Sequence, residues 1–291
     1  MTQETGTDPA VGSLWSKVFG LMAFIPFVAF RAKKLMLTIG LAVALIPSGS
    51  ALAETAWSRS LWERTRADHI EFYAGDNMAW LYGGVVVAAT LSNTGGDAKI
   101  DDWYQTRIRH SGTDAFSDFT RLFGEGALTV PLFIGASFSG YIVPDAEVAG
   151  ALEEWGERSL RSIVIGVPPV FVLQRITRHS RPKADKDEDW KTDHNKGVSG
   201  HAFMGAIPFI SAAKMTDNMA VKSLCYLGSL LCGYSRVNDE GHYLSHVLLG
   251  WGLAYLAETA VDRSMNGGRQ ATRWDPWWMN GYVGLSFSVD F

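Results

Sequence analysis

Polar and apolar positions come in blocks along this chain rather than evenly mixed. Uncharged runs recur at Met78 to Ser92, Ala127 to Pro144, Ser162 to Leu173, Ala202 to Ala213, Ser223 to Ser235 and Tyr243 to Ala257, with charged segments between them. The runs are 12 to 18 residues long and contain Gly, Ser, Thr and Pro. A membrane span needs about 20 apolar residues, so the pattern predicts the buried helices of a helical bundle, with membrane spans as the other reading. Glu54 to Glu71 mixes charge with Trp57, Trp62 and Ile70 and reads as an amphipathic helix on the surface. At the C-terminus the period changes. Val283, Leu285, Phe287, Val289 and Phe291 alternate with Gly284, Ser286, Ser288 and Asp290, which predicts a short β-strand in a tail over 264–291. The expected fold is therefore mainly α, with a short C-terminal β-strand.

Composition narrows the class. With 47% hydrophobic and 19% charged residues over 291 positions, the chain can bury a large core and is neither disordered nor fibrous. A net charge of -4 gives no field for nucleic acid, so an anion site must be a local cluster. The N-terminus has the parts of an export signal: Arg31, Lys33 and Lys34, an uncharged run from Leu35, and a small-residue ending at Ser50-Ala51-Leu52-Ala53. A leader over 1–53 and a periplasmic domain over 54–291, exported and in possible contact with a membrane surface, are expected. The two cysteines, Cys225 and Cys232, read as lying on one helix roughly 10 Å apart, at about 1.5 Å rise per residue. That is too far for a disulfide, so they are expected to be core residues.

The chemistry is concentrated late in the chain. Five of the seven histidines (His179, His194, His201, His242, His246) fall between 179 and 246. Arg175, Arg178, His179, Arg181 and Lys183 form a basic run in an otherwise acidic chain, and forked guanidinium donors suit a tetrahedral oxyanion. Residues 183–196 are nearly all polar and read as a solvated loop. Ser199-Gly200-His201 then opens an apolar helix, where backbone N–H groups and a hydroxyl bind anions. His242 and His246 stand four apart and share a helix face. That pair, with His201 or Glu240, also raises a divalent metal site as a secondary reading, which the arginine-rich surroundings disfavour.

The set resembles the type 2 phosphatidic acid phosphatase (PAP2) superfamily, which also holds bacterial acid phosphatases and vanadium haloperoxidases. The family pattern is Lys-x6-Arg-Pro, then Pro-Ser-Gly-His, then Ser-Arg-x5-His-x3-Asp. Arg181-Pro182, Ser199-Gly200-His201, and Ser235-Arg236 with His242 match it in order and spacing over 174–246. The resemblance implies a helical bundle of the PAP2/haloperoxidase type and a phosphatase that needs no metal or cofactor. In it His242 would be the nucleophile that forms a phosphohistidine and His201 the general acid. Arg181, Ser199, Gly200 and Arg236 would hold the phosphoryl oxygens. Vanadate would inhibit such an enzyme, and would be a cofactor only in a haloperoxidase.

Three positions depart from the pattern: Gln174 stands for the Lys, with Arg175 beside it as a substitute, Val198 for the first Pro, and His246 for the Asp. The last removes the negative charge that orients the nucleophile, which Asp239 or Glu240 is a candidate to restore. The expected partners are a phosphorylated lipid, such as phosphatidate or an isoprenyl pyrophosphate, or a small phosphate ester, and no nucleic acid or protein partner is predicted. A weakened member that binds phosphorylated lipid or serves envelope assembly is the alternative, and vanadate-dependent halide oxidation a third.

Overall fold

A computed structural model describes residues 56–177, 181–182, 197–266, 273–279 and 282–288, with side chains from 62 to 266 within those ranges. The expected leader, Arg178 and His179 of the basic run, the charged loop 183–196, and 267–272, 280–281 and 289–291 of the tail lie outside the described residues. The described chain is mainly helical. In order the helices are α1 (Ala56–Phe72), α2 (Gly75–Asn93), α3 (Gly96–Arg107), α4 (Ser111–Arg121), α5 (Gly126–Ser137), α6 (Ala146–Thr177), α7 (Gly200–Lys214), α8 (Met219–Ser229), α9 (Leu231–Asn238) and α10 (Leu244–Met265). The backbone of Arg273–Met279 and Tyr282–Ser288 runs as two antiparallel strands, in register from Arg273 opposite Ser288 to Met279 opposite Tyr282.

Helices α7 and α10 lie at the centre, packed on each other, with α6, α1 and α2 against α10. Helix α7 shows why. Phe203, Ala206, Ile207 and Ile210 recur at helical spacing, and all four are almost fully buried with Ile165 of α6 and Leu253 and Ala257 of α10. Each large side chain in that cluster contributes about 1.5–3 kcal/mol through removal from water. Side-chain caps fix where helices start: Asn218 accepts from the Ala220 and Val221 N–H groups at α8, and His110 does the same for Gly112 and Thr113 at α4.

Several expectations need correcting. The uncharged runs underestimate helix length. Helix α6 has 32 residues, and α6 and α10 are both long and apolar enough to cross a membrane by length and composition. The run from Ser223 to Ser235 is two helices with a break at Leu230, so Cys225 and Cys232 sit on different helices; both are buried and free. Helix α1 is more than a surface helix, because Asp68 and Phe72 on its inner side are completely buried. Helices α3 and α4, too charged to register as apolar runs, complete the bundle around α9.

Asp68 ties α1 to the centre. Arg161 of α6 donates to it in a fork, Nε to Oδ2 at 2.8 Å and Nη2 to Oδ1 at 2.7 Å, and Ser264 of α10 bonds both partners. Arg161 also reaches Glu157 at 3.0 Å. The bundle buries a second carboxyl less completely matched: Glu258 of α10 lies beside the Ser162 hydroxyl, yet neither of its oxygens closes a hydrogen bond among the described residues. Because Asp68 is 0% exposed and Arg161 6%, removing the carboxylate alone leaves a buried guanidinium half matched. Asp68→Ala is expected to lower stability by about 3–5 kcal/mol, measured by chemical or thermal unfolding.

Candidate active site

The site is built where the start of α7 meets the turn before α10. Ser199 caps α7, its Oγ accepting the Ala202 N–H at 3.2 Å, and its own N–H donates to the His246 carbonyl at 3.0 Å. The loop can lie this close because residue 250 is glycine: a Cβ there would sit 2.3 Å from the Ser199 carbonyl oxygen. Gln174, in the last turns of α6, donates to the Val198 carbonyl at 2.7 Å and lies 4.0 Å from where a Gly200 Cβ would be. Gln174 thus faces the loop, whereas Arg175 is exposed, so the rotation needed for Arg175 to replace the family Lys is not what the fold adopts.

The spacing between Ser235-Arg236 and His242 is the length of one tight turn. Glu240 takes a left-handed backbone with φ of 53°, and the N–H groups of Gly241 and His242 both return to the Arg236 carbonyl, at 2.8 and 3.1 Å. This folds His242 back over the end of α9 beside Arg236. The two imidazoles meet: His242 Nδ1 and His246 Nδ1 are 3.3 Å apart, and the rings cross at 78°. Both are buried, at 3% and 1% exposure. His246 also packs edge-on against Tyr243.

Asp239 and Glu240, the candidates for the missing charge, are engaged elsewhere. Asp239 accepts from Arg236 Nη2 at 2.7 Å and from Ser117, and Glu240 pairs with Arg109 at 3.1 Å. With Glu240 so paired, and no group of three or more His, Cys, Asp or Glu arranged for a metal ion among the described residues, the geometry lends the metal reading no support.

The electrostatics are those of a positive, partly dry pocket. Burial, then Arg181, Arg236 and His201, hold His242 well below the ordinary imidazole range, against a Gly197 backbone hydrogen bond that works the other way. Arg181 is pushed down by burial and by Arg236, and its Nε is buried without a hydrogen-bond partner among the described residues. His201 is lowered by burial and Arg236. Glu125, whose Oε1 lies 3.6 Å from His201 Nε2, acts to raise it. The fold therefore brings together His201, His242, His246, Arg181, Arg236, Ser199, Gly200 and Gln174, and leaves Arg175 outside.

Glu125 went unnoticed in the sequence. It lies between Gly124 and Gly126, in no motif, and reaches His201 only because η1 (Leu122–Gly124) packs on α7. Gly124 makes that approach possible, since a Cβ there would be 2.6 Å from the His201 carbonyl. In Glu125→Gln the raising contribution is lost, so His201 is expected to titrate at a lower pH than in the wild type, while His242 stays neutral to still lower pH. Histidine NMR titration of both proteins checks this.

No curated protein and no solved structure matched the chain. A family match covers residues 159–267, from α6 through α10, and so includes every motif residue discussed above. That match falls on the segment whose helices build the site, and it supports assignment to the PAP2 superfamily.

Proposed function

We propose that this protein is a phosphatase that hydrolyses phosphate monoesters of membrane lipids through a phosphohistidine on His242. PAP2 membership supports phosphatase-type chemistry in general. The observation that carries the specific reading is the convergence of Arg181 and Arg236 on a buried, neutral His242 whose Nδ1 faces His246. Both guanidinium groups lower the His242 imidazole, and Arg236 lowers Arg181 as well, the kind of perturbed cluster that marks functional sites.

The proposed roles are these. With His242 Nδ1–H donating to His246 Nδ1, Nε2 is the nitrogen left to attack phosphorus. The P–O bond to the alcohol breaks as the N–P bond forms, and His201 gives its proton to the departing oxygen. Water then attacks the phosphohistidine, His201 takes a proton from it, and phosphate leaves. Arg181, Arg236, Ser199 and the Gly200 N–H hold the phosphoryl oxygens as charge grows on them. Gln174 fixes the loop at Val198 in place of the family Lys. The bundle is of the PAP2/haloperoxidase type, and no metal takes part.

The surface supports a lipid substrate over a soluble one. Trp80, Tyr82, Val86 and Val87 of α2 are 54–76% exposed, and Phe171, Val172 and Ile176 of α6 are 55–65% exposed. Apolar faces of this kind mark contact with lipid or a partner. The α6 face runs to the same end of the helix as Gln174, so an acyl chain lying along it would present its headgroup to the site. Periplasmic export belongs to the same proposal.

The substitution at His246 favours a second reading, a weakened member that binds phosphorylated lipid, since a neutral imidazole accepts a hydrogen bond but adds no negative charge. The deciding test is phosphate release from phosphatidate in mixed micelles with EDTA present. Activity is expected in the wild type, with loss in His242→Ala to below about a thousandth, as for removal of a nucleophile. His246→Asp is expected to raise kcat. No wild-type turnover on phosphatidate or a soluble ester would favour the binding reading, and loss to EDTA would point to a metal.

A further inference from the structure

Helix α10 carries His246, yet its own N-terminus is poorly provided for. The residue before it, Tyr243, supplies no side-chain cap. The N–H of Ser245, in the first turn, has no intrahelical acceptor and must find one elsewhere. It finds Asp97, 148 residues away on α3. Asp97 Oδ1 accepts the Ser245 N–H at 3.0 Å, and Oδ2 accepts the hydroxyls of Ser245 and of Ser92, the latter at 2.9 Å. The two hydroxyls are themselves 3.0 Å apart. All three residues are at most 1% exposed. Asp97 also lies in the first turn of α3, whose cap position is Gly95 and offers no side chain. One buried carboxylate therefore serves two helix N-termini, both of which favour negative charge.

We propose that Asp97 is a positioning residue for the His242–His246 pair, fixing from α3 the helix turn that the pair depends on. The inference rests on the mechanism proposed above. Ser245 is joined directly to His246, so the hydrogen bonds that clamp it set both the rotation and the depth of that turn. At 3.3 Å the Nδ1 to Nδ1 contact is already long for a hydrogen bond, and a small rotation of α10 would open it. A family carboxylate at position 246 would draw the imidazole in by charge. With an imidazole there instead, alignment depends on the turn that carries it, and Asp97 with Ser92 and Ser245 holds that turn.

The test is a double-mutant cycle in the full chain, with phosphatidate in mixed micelles as substrate and nitrogen-15 NMR of the histidines as a second readout. Asp97→Asn is expected to lower kcat about ten- to a hundredfold with KM within about twofold, the size of loss a misplacement near 1 Å produces. In NMR, His242 should lose its fixed Nδ1–H tautomer. In a His246→Ala background the same change should cost little more, because the contact it positions is already gone. Equal loss in both backgrounds, or an unchanged kcat and tautomer, would overturn the proposal. If Asp97→Asn does not fold, Ser245→Ala removes only the hydroxyl contacts and is read the same way. A wild type without turnover would instead overturn the phosphatase reading, and the tautomer signal alone would then decide the role of Asp97.

Discussion

The hydrogen bond from the Ser199 N–H to the His246 carbonyl joins the two halves of the site, and the rest of the arrangement depends on it. It brings the capped start of α7 onto the first turn of α10, so that His201 and the backbone N–H groups of one helix share a pocket with the imidazoles of the other. The contact is possible only because α10 has a glycine at 250, directly beneath the loop. Gln174 holds the same loop from α6. Three helices are thus fixed to a segment of a few residues, which meets α6 and α10 through its own backbone groups.

The charge arrangement explains how a site with His246 in place of Asp can still be organised. Among the described residues, the carboxylates nearest the motif are each engaged: Asp239 pairs with Arg236, Glu240 with Arg109, and Glu125 lies against His201. Among the described residues, the buried His242 has Arg181 and Arg236 near it and the His246 imidazole against its Nδ1. An imidazole in place of a carboxylate adds no anion to be desolvated, a cost that for a buried ion amounts to several kcal/mol. In the proposed mechanism it gives up, in exchange, the electrostatic pull of a carboxylate on the imidazole, so orientation comes from packing and hydrogen bonds.

The helical class and the motif helices were legible because burial writes itself as uncharged runs, and because three short motifs fix the order of the site residues. Helix ends were less so: α6 begins well before its uncharged run, its first turns made amphipathic by Glu154, Arg158 and Arg161, which pair with neighbours. Helices α3 and α4 were invisible to the same criterion, and with them Asp97 and Ser117. Such residues act across more than a hundred positions of sequence, and no local spacing encodes a contact between a carboxylate on one helix and the open N-terminus of another. The break at Leu230 was hidden for the opposite reason, since both sides of it are equally apolar.

That break puts Cys232 where the Sγ–H donates to the His201 carbonyl at 3.1 Å, wedged against Gly124 and Gly205. Burial pushes its thiol up to about 12 and raises that of Cys225 as well. The thiolate is the reactive form towards oxidants and disulfides, so burial and the raised thiols together disfavour attack on either sulfur in the folded bundle. The two thiols are therefore shielded by the fold itself, and their reduced state says nothing of the compartment in which the protein works.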